Sequence, residues 1–156
     1  MKKIILLTLV VLSTFAVKAQ KVELNVGASI FAPITKDINS NARAWGQRVQ
    51  VAFPKSDILT YTLTLGYQQT KDKFVQIPVI PGVRIKAHKG LHLGFGAGAT
   101  FFKNDGARFT ISPSVGYKIK KWYIEQSIFR TTKMINLPGN DGEHFNNIGF
   151  SVFYQL

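Results

Sequence analysis

Chemistry in this chain would have to come from three histidines and eight acids, with no cysteine to act as nucleophile or thiolate ligand. His88 and His92 stand four residues apart, the spacing that places two imidazoles on one helix face for a metal ion. On a strand that reading weakens, because His88 then falls in a turn while His92 points inward. Asp141, Glu143 and His144 crowd into the stretch 138–144, where a cation or catalytic site competes with an ordinary solvated polar loop. Asp105-Gly106 and Asp141-Gly142 are turn signals before they are ligands. There is no phosphate-binding glycine loop, nucleophile elbow or zinc motif, so no catalytic, cofactor or metal residue is assigned.

The charged residues are more informative than the histidines. Glu23, Arg48, Arg84, Lys86, Arg108, Lys118 and Glu125 all occupy the polar phase of an alternation with period two, the mark of half-buried strands. Residues 59–68 show that alternation without exception. Leu59, Tyr61, Leu63, Leu65 and Tyr67 alternate with Thr60, Thr62, Thr64, Gly66 and Gln68. The same rule predicts strands over 22–32, 43–53, 74–87, 91–102, 107–119, 122–132 and 146–156, eight in all. Pro78, Pro81 and Pro113 count against a closed ladder, because a barrel has no edge on which a missing N–H goes unnoticed. The register is expected to be least regular across Ile77 to Pro81, with bulges absorbing the prolines.

Composition agrees with an all-β chain. Of 156 residues 46% are hydrophobic and 12% aromatic, with 13 glycines. That excludes disordered, collagen-like and disulfide-stapled classes. The first residues read as a secretory signal over 1–19: a basic Met1-Lys2-Lys3 start, the apolar run Ile4 to Leu12, and Val17-Lys18-Ala19 before a cut. The run is too short for a membrane-spanning helix. Removing it takes the formal charge from +12 to 17 − 8 = +9 in the domain 20–156. An exported domain does not meet nucleic acid, so none is expected as a partner.

Period two leaves open whether the apolar face meets a protein core or lipid. The polar face is rich in small residues, among them Gly27, Gly46, Gly66, Gly94, Gly96, Gly98, Gly116 and Gly149. These suit a cramped interior, since eight strands enclose little more than side chains. The apolar face carries two aromatic girdles, Phe53, Tyr61, Tyr117, Trp122 and Tyr154 at one end and Trp45, Tyr67, Phe101 and Phe109 at the other, around an aliphatic belt. The connections 33–41 and 135–145 are long and follow odd-numbered strands; 54–57, 88–90 and 120–121 are short. The expected fold is therefore all-β, an eight-stranded antiparallel up-and-down transmembrane barrel with its short turns in the periplasm.

Signal, strands and the closing segment Ile148 to Leu156 together resemble the small outer-membrane β-barrels of Gram-negative bacteria, the OmpA/OmpX-like class. Val75-Gln76-Ile77-Pro78-Val79-Ile80 is similar to a strand of PorT-like outer-membrane barrels. The resemblance implies a place in the outer membrane, contact with its lipid and lipopolysaccharide, and insertion by the barrel-assembly machinery through the last strand. That strand has Tyr154 two residues before a terminal leucine instead of a terminal aromatic. It also implies a non-enzymatic structural or adhesive role, or assistance to an envelope or secretion complex. Barrels that deacylate lipid A carry a serine two residues after a histidine; Asn146 follows His144 and Gly94 follows His92. A lipid-modifying enzyme stays as one alternative, and a soluble periplasmic barrel binding an apolar ligand as another. In the lumen, strand direction brings Glu23, Arg84, Lys86, Lys118 and Glu125 to one end, where they are expected to form one charge cluster that closes it.

Overall fold

The computed structural model describes residues 22–34, 43–70, 75–103, 106–133 and 145–156. Within them lie β1 (Glu23–Pro33), β2 (Ala44–Pro54), β3 (Leu59–Thr70), β4 (Val75–His88), β5 (Leu91–Phe102), β6 (Gly106–Ile119), β7 (Trp122–Lys133) and β8 (Phe145–Gln155). Each strand pairs antiparallel with its chain neighbours, and β8 returns to β1, so the sheet is a closed barrel. The strand bounds follow the alternation to within a residue or two. A wet or polar lumen on one side and an apolar surround on the other force the same period on every strand.

Closing the sheet requires a stagger, and the pairing shows its size. From Glu23 the partners run through Ala52, Thr62, Gly82, Gly96 and Ser112. Ser112 lies opposite Phe129, which pairs with Asn147 and so returns to Pro33, 33 − 23 = 10 residues further along β1. A stagger of this kind tilts the strands by about 40°. Trp45 and Phe53 mark the two ends of the outward face of β2, eight residues apart. At ~3.3 Å per residue along a strand so tilted, that is ~20 Å of height, close to the apolar band of a membrane barrel.

The prolines correct the expected register. Pro78, Pro81 and Pro113 each lie within a two-residue gap in one ladder, yet the pairing on either side keeps the same offset: Leu65↔Val79 resumes at Gln68↔Gln76, Val79↔Ala99 at Gly82↔Gly96, and Ile111↔Arg130 at Ser114↔Ser127. No bulge absorbs them. The one shift in the β4–β5 ladder lies instead between Lys86 and His88, beside the turn. Skipping a pair of bonds costs less geometry than inserting a residue, because an inserted residue would flip the inward and outward faces beyond it.

Connections at one end are short: 55–58, 89–90 and 120–121. Ser56 Oγ accepts hydrogen bonds from the backbone N–H groups of Ile58 and Leu59 and fixes the first of these turns. Gly90 takes φ 85° in the second, and in the third the left-handed position, φ 55°, is filled by Lys120. At the opposite end 34–43 and 134–144 are the long connections.

The outside of the barrel is apolar and uncovered. Ile30 is 62% exposed and Leu93 53%, and Val26, Val49, Leu65, Phe95, Val115, Ile128 and Phe150 also face outward. A soluble barrel would reverse this, with apolar side chains inside. Trp45, Tyr61, Tyr67, Phe101, Phe109, Tyr117 and Trp122 are exposed on that surface, with Phe53 and Tyr154 half-buried there. At the short-turn end Trp122 and Tyr154 are cross-strand partners, their rings edge to face at 5.0 Å.

Candidate functional site

The inward faces of the strands build a filled lumen whose chemistry changes with height. At the short-turn end Lys118 Nζ lies 3.3 Å from Glu23, with both side chains partly open to solvent. His92 Nδ1 sits 2.8 Å from the Gly90 carbonyl oxygen, and its ring meets Tyr123 edge-on. Higher up, Arg84 is buried, lies 3.9 Å over the Tyr123 ring and donates to Gln50 Oε1. The Gln50 amide in turn donates to Thr64 at 3.1 Å. At mid-height Arg48 donates to Ser151 Oγ at 3.0 Å and forms a salt bridge with Glu125 at 3.5 Å, their side chains 3% and 8% exposed. Its guanidinium is enclosed by Phe31, Phe129 and Phe153, with ring centroids 5.9, 5.2 and 5.7 Å away. Near the long-loop end Thr110 Oγ1 lies 2.7 Å from Thr100 and 3.1 Å from Thr131, and Arg108 stacks on Phe102.

The single cluster expected of Glu23, Arg84, Lys86, Lys118 and Glu125 is therefore not what forms. Glu125 is held by Arg48, Lys118 by Glu23, Arg84 by Gln50 and Tyr123, and Lys86 is exposed at the rim. Stagger is the reason. Lys118 stands opposite Tyr123 in the β6–β7 ladder, and Glu125 opposite Gly116, two residues further from the short turn. The acid is thereby lifted toward the middle of the barrel, where β2 presents Arg48 from across the lumen.

Alternation also leaves unassigned the large rings that fill much of the interior: Phe31, Phe102, Tyr123, Phe129 and Phe153, all buried. Their signal is parity. Tyr123 shares a phase with Glu125 and Ser127, and Phe153 with Ser151. Three of them, Phe31, Phe153 and Tyr123, need a neighbour without a side chain. A Cβ on Gly149 would collide with the Phe31 ring, on Gly27 with Phe153, and on Gly116 with Tyr123. These three glycines are thus notches for rings, and the lumen around them is tight. Between Arg48, Gln50, Arg84, Ser114 and Glu125 a space of about 30 Å³ remains, room for one or two waters.

Among the described residues no three histidines and acids come together as a metal site. His88 ends β4 and is exposed, while His92 points into the lumen. The expected signal over 1–19 and the group Asp141, Glu143 and His144 lie outside the described residues.

No protein-family model matches the sequence, and no curated protein matches it. Solved structures do match in fold. A designed transmembrane barrel, TMB2.3, superposes with a TM-score of 0.60 at 12% identity, covering 88% of this chain and 98% of that one. Ail, the attachment invasion locus protein of Yersinia pestis, gives 0.58 at 10% identity over 86% of this chain and 97% of its own. Neisserial surface protein A gives 0.53 at 6% identity over 86% and 97%. At such identities the likeness is one of architecture, and the chain has the fold of the small eight-stranded transmembrane β-barrels.

Proposed function

We propose that this chain is a non-enzymatic integral outer-membrane barrel of the OmpA/OmpX-like kind, sealed along its axis, which acts through what its long-loop end presents outside the cell. The filled lumen carries this reading: Arg48, Glu125 and the three phenylalanines occupy the middle of the barrel, and the cavity beside Arg48 and Glu125 has about 30 Å³, room for water only. With the lumen filled and no cluster of histidines and acids among the described residues, the long-loop end is where this reading places the work. Of the roles such a barrel can take, attachment is best supported. The described part of the outer rim is basic, with Arg43, Lys103 and Arg130 exposed. Ail, which shares the architecture, has been crystallised with the heparin analogue sucrose octasulfate. Lipopolysaccharide phosphates are a second anion that this rim suits.

The absence of cysteine makes the test simple. Single cysteines at Lys103 and Lys89 are probed on intact cells with an impermeant maleimide. Lys103→Cys is expected to label at once, and Lys89→Cys only after the outer membrane is permeabilised. Cells carrying the chain should adhere to immobilised heparin more than cells without it. Labelling of Lys89→Cys first would reverse the orientation, and equal adhesion would remove the attachment role.

A further inference from the structure

The short-turn rim carries a concentration of positive charge for which neither the lumen nor the loops account. Lys55, Lys86, Lys89, Lys120 and Lys121 are exposed there, and Asp57 is the exposed acid among the described residues of that rim. Lys118 is nearby but is paired with Glu23. The lysines occupy all three short hairpins, so they are spread around the barrel instead of being gathered on one side. Two details fix their depth and their importance. Lys121 Nζ lies 5.6 Å over the Tyr154 ring, which sits in the aromatic girdle beside Trp122, so its ammonium is held at the level where headgroups meet hydrocarbon. Lys120 occupies a left-handed backbone position, φ 55°, that the neighbouring hairpin gives to Gly90. A lysine stands where backbone conformation favours glycine.

We propose that this lysine ring binds anionic phospholipid headgroups of the leaflet at the short-turn end, collecting an annulus of such lipid around the barrel. A membrane surrounds a barrel on every side, as the lysines do, whereas a soluble acidic protein would need them on one face. Clustered lysines at a membrane surface each add attraction to anionic lipid, and the effect falls with salt. Under the orientation proposed above this is the periplasmic leaflet. Failure of that orientation would show in the cysteine labelling and not in the measurement that follows.

The chain has two tryptophans, one at each girdle. In a Trp45→Phe background, Trp122 alone reports the lipid next to the ring. The full chain is folded into bilayers in which phosphatidylglycerol or phosphatidylcholine is acyl-brominated, and quenching gives their relative occupancy at Trp122. Phosphatidylglycerol is expected to be favoured several-fold at low salt, with the preference falling toward unity in 0.5 M salt (roughly a 4 Å screening length). Replacement of Lys55, Lys86, Lys89, Lys120 and Lys121 by glutamine should do the same. Heat-dependent gel mobility checks that the variant is folded, and Lys120→Gln/Lys121→Gln serves if the fivefold variant is not. A Trp122→Phe chain, reporting from Trp45, should keep its lipid preference when the lysines are replaced. Equal quenching by the two lipids in the parent, or a preference that survives the lysine replacements, overturns the proposal. Equal quenching with lysine-dependent binding of soluble polyglutamate would assign the ring to an acidic protein instead.

Discussion

Replacing Glu125 by alanine is the sharpest probe of the sealed lumen. The carboxylate faces Arg48 at 3.5 Å, with both side chains almost wholly buried. Its loss leaves a guanidinium at mid-barrel that donates to Ser151 Oγ and faces no carboxylate. Removing one member of a buried pair typically costs ~3–5 kcal/mol, because the other charge stays desolvated. Two features reduce that here. The three phenylalanine rings around Arg48 each contribute on the order of 0.5–2 kcal/mol of cation–π attraction. The space left by the carboxylate also adds to the existing 30 Å³ and admits water. A net loss of about 2–4 kcal/mol follows. Glu23→Ala is the internal control. Its pair with Lys118 has side chains 14% and 30% exposed, which places it with partly solvated pairs near ~0–1 kcal/mol. Urea unfolding from vesicles, followed by Trp fluorescence and heat-dependent gel mobility, should separate the two. Arg48→Met with Glu125→Leu should recover most of the loss by removing both charges. Equal effects of Glu125→Ala and Glu23→Ala, or no recovery in the double variant, would refute the view that Arg48 and Glu125 form the seal.

The lipid-facing belt predicts that Leu63→Arg and Val115→Arg each lower stability by ~2–4 kcal/mol in vesicles. Thr62→Arg should be judged by fit within the lumen, and equal tolerance at Leu63 and Thr62 would reverse the faces. Gly149→Val should destabilise by ~1–3 kcal/mol, because its side chain enters the volume of the Phe31 ring. Adding Phe31→Ala should relieve that strain, seen as a non-additive double-mutant cycle in the same unfolding assay. In planar bilayers the parent should conduct weakly or not at all, and Glu125→Ala should raise the frequency of openings.

The strands were legible because both environments of a membrane barrel act on alternate residues, so the pattern in Leu59 to Gln68 states the fold almost directly. The outward placement of the aromatics was legible for the same reason: Trp45 and Phe53 stand on one phase of one strand. The lumen was only half legible. Which residues point inward is a local property, and Arg48 and Glu125 could be placed on that face from their own strands. Which of them touch is set by the ten-residue stagger, which depends on all eight ladders at once. That is why Lys118 was expected to meet Glu125, yet the structure gives that acid to Arg48. The prolines misled for a related reason. A missing N–H reads as a defect in one strand, while a closed sheet retains the register through the pairs on either side.

Two of the ring-and-glycine contacts lie on the same seam. Phe31 of β1 rests on its partner Gly149 of β8, and Phe153 of β8 rests on its partner Gly27 of β1. The first and last strands therefore interlock reciprocally. A slip of one residue would turn the faces inside out. A slip of two would preserve them, but it would drive Phe31 onto Ser151 or Asn147 and Phe153 onto Ser29 or Asn25. These two notches favour one alignment of the first and last strands over its neighbours. Barrel size is thus tied to two ring-and-glycine contacts at the closure, whose phenylalanines also enclose the Arg48 guanidinium.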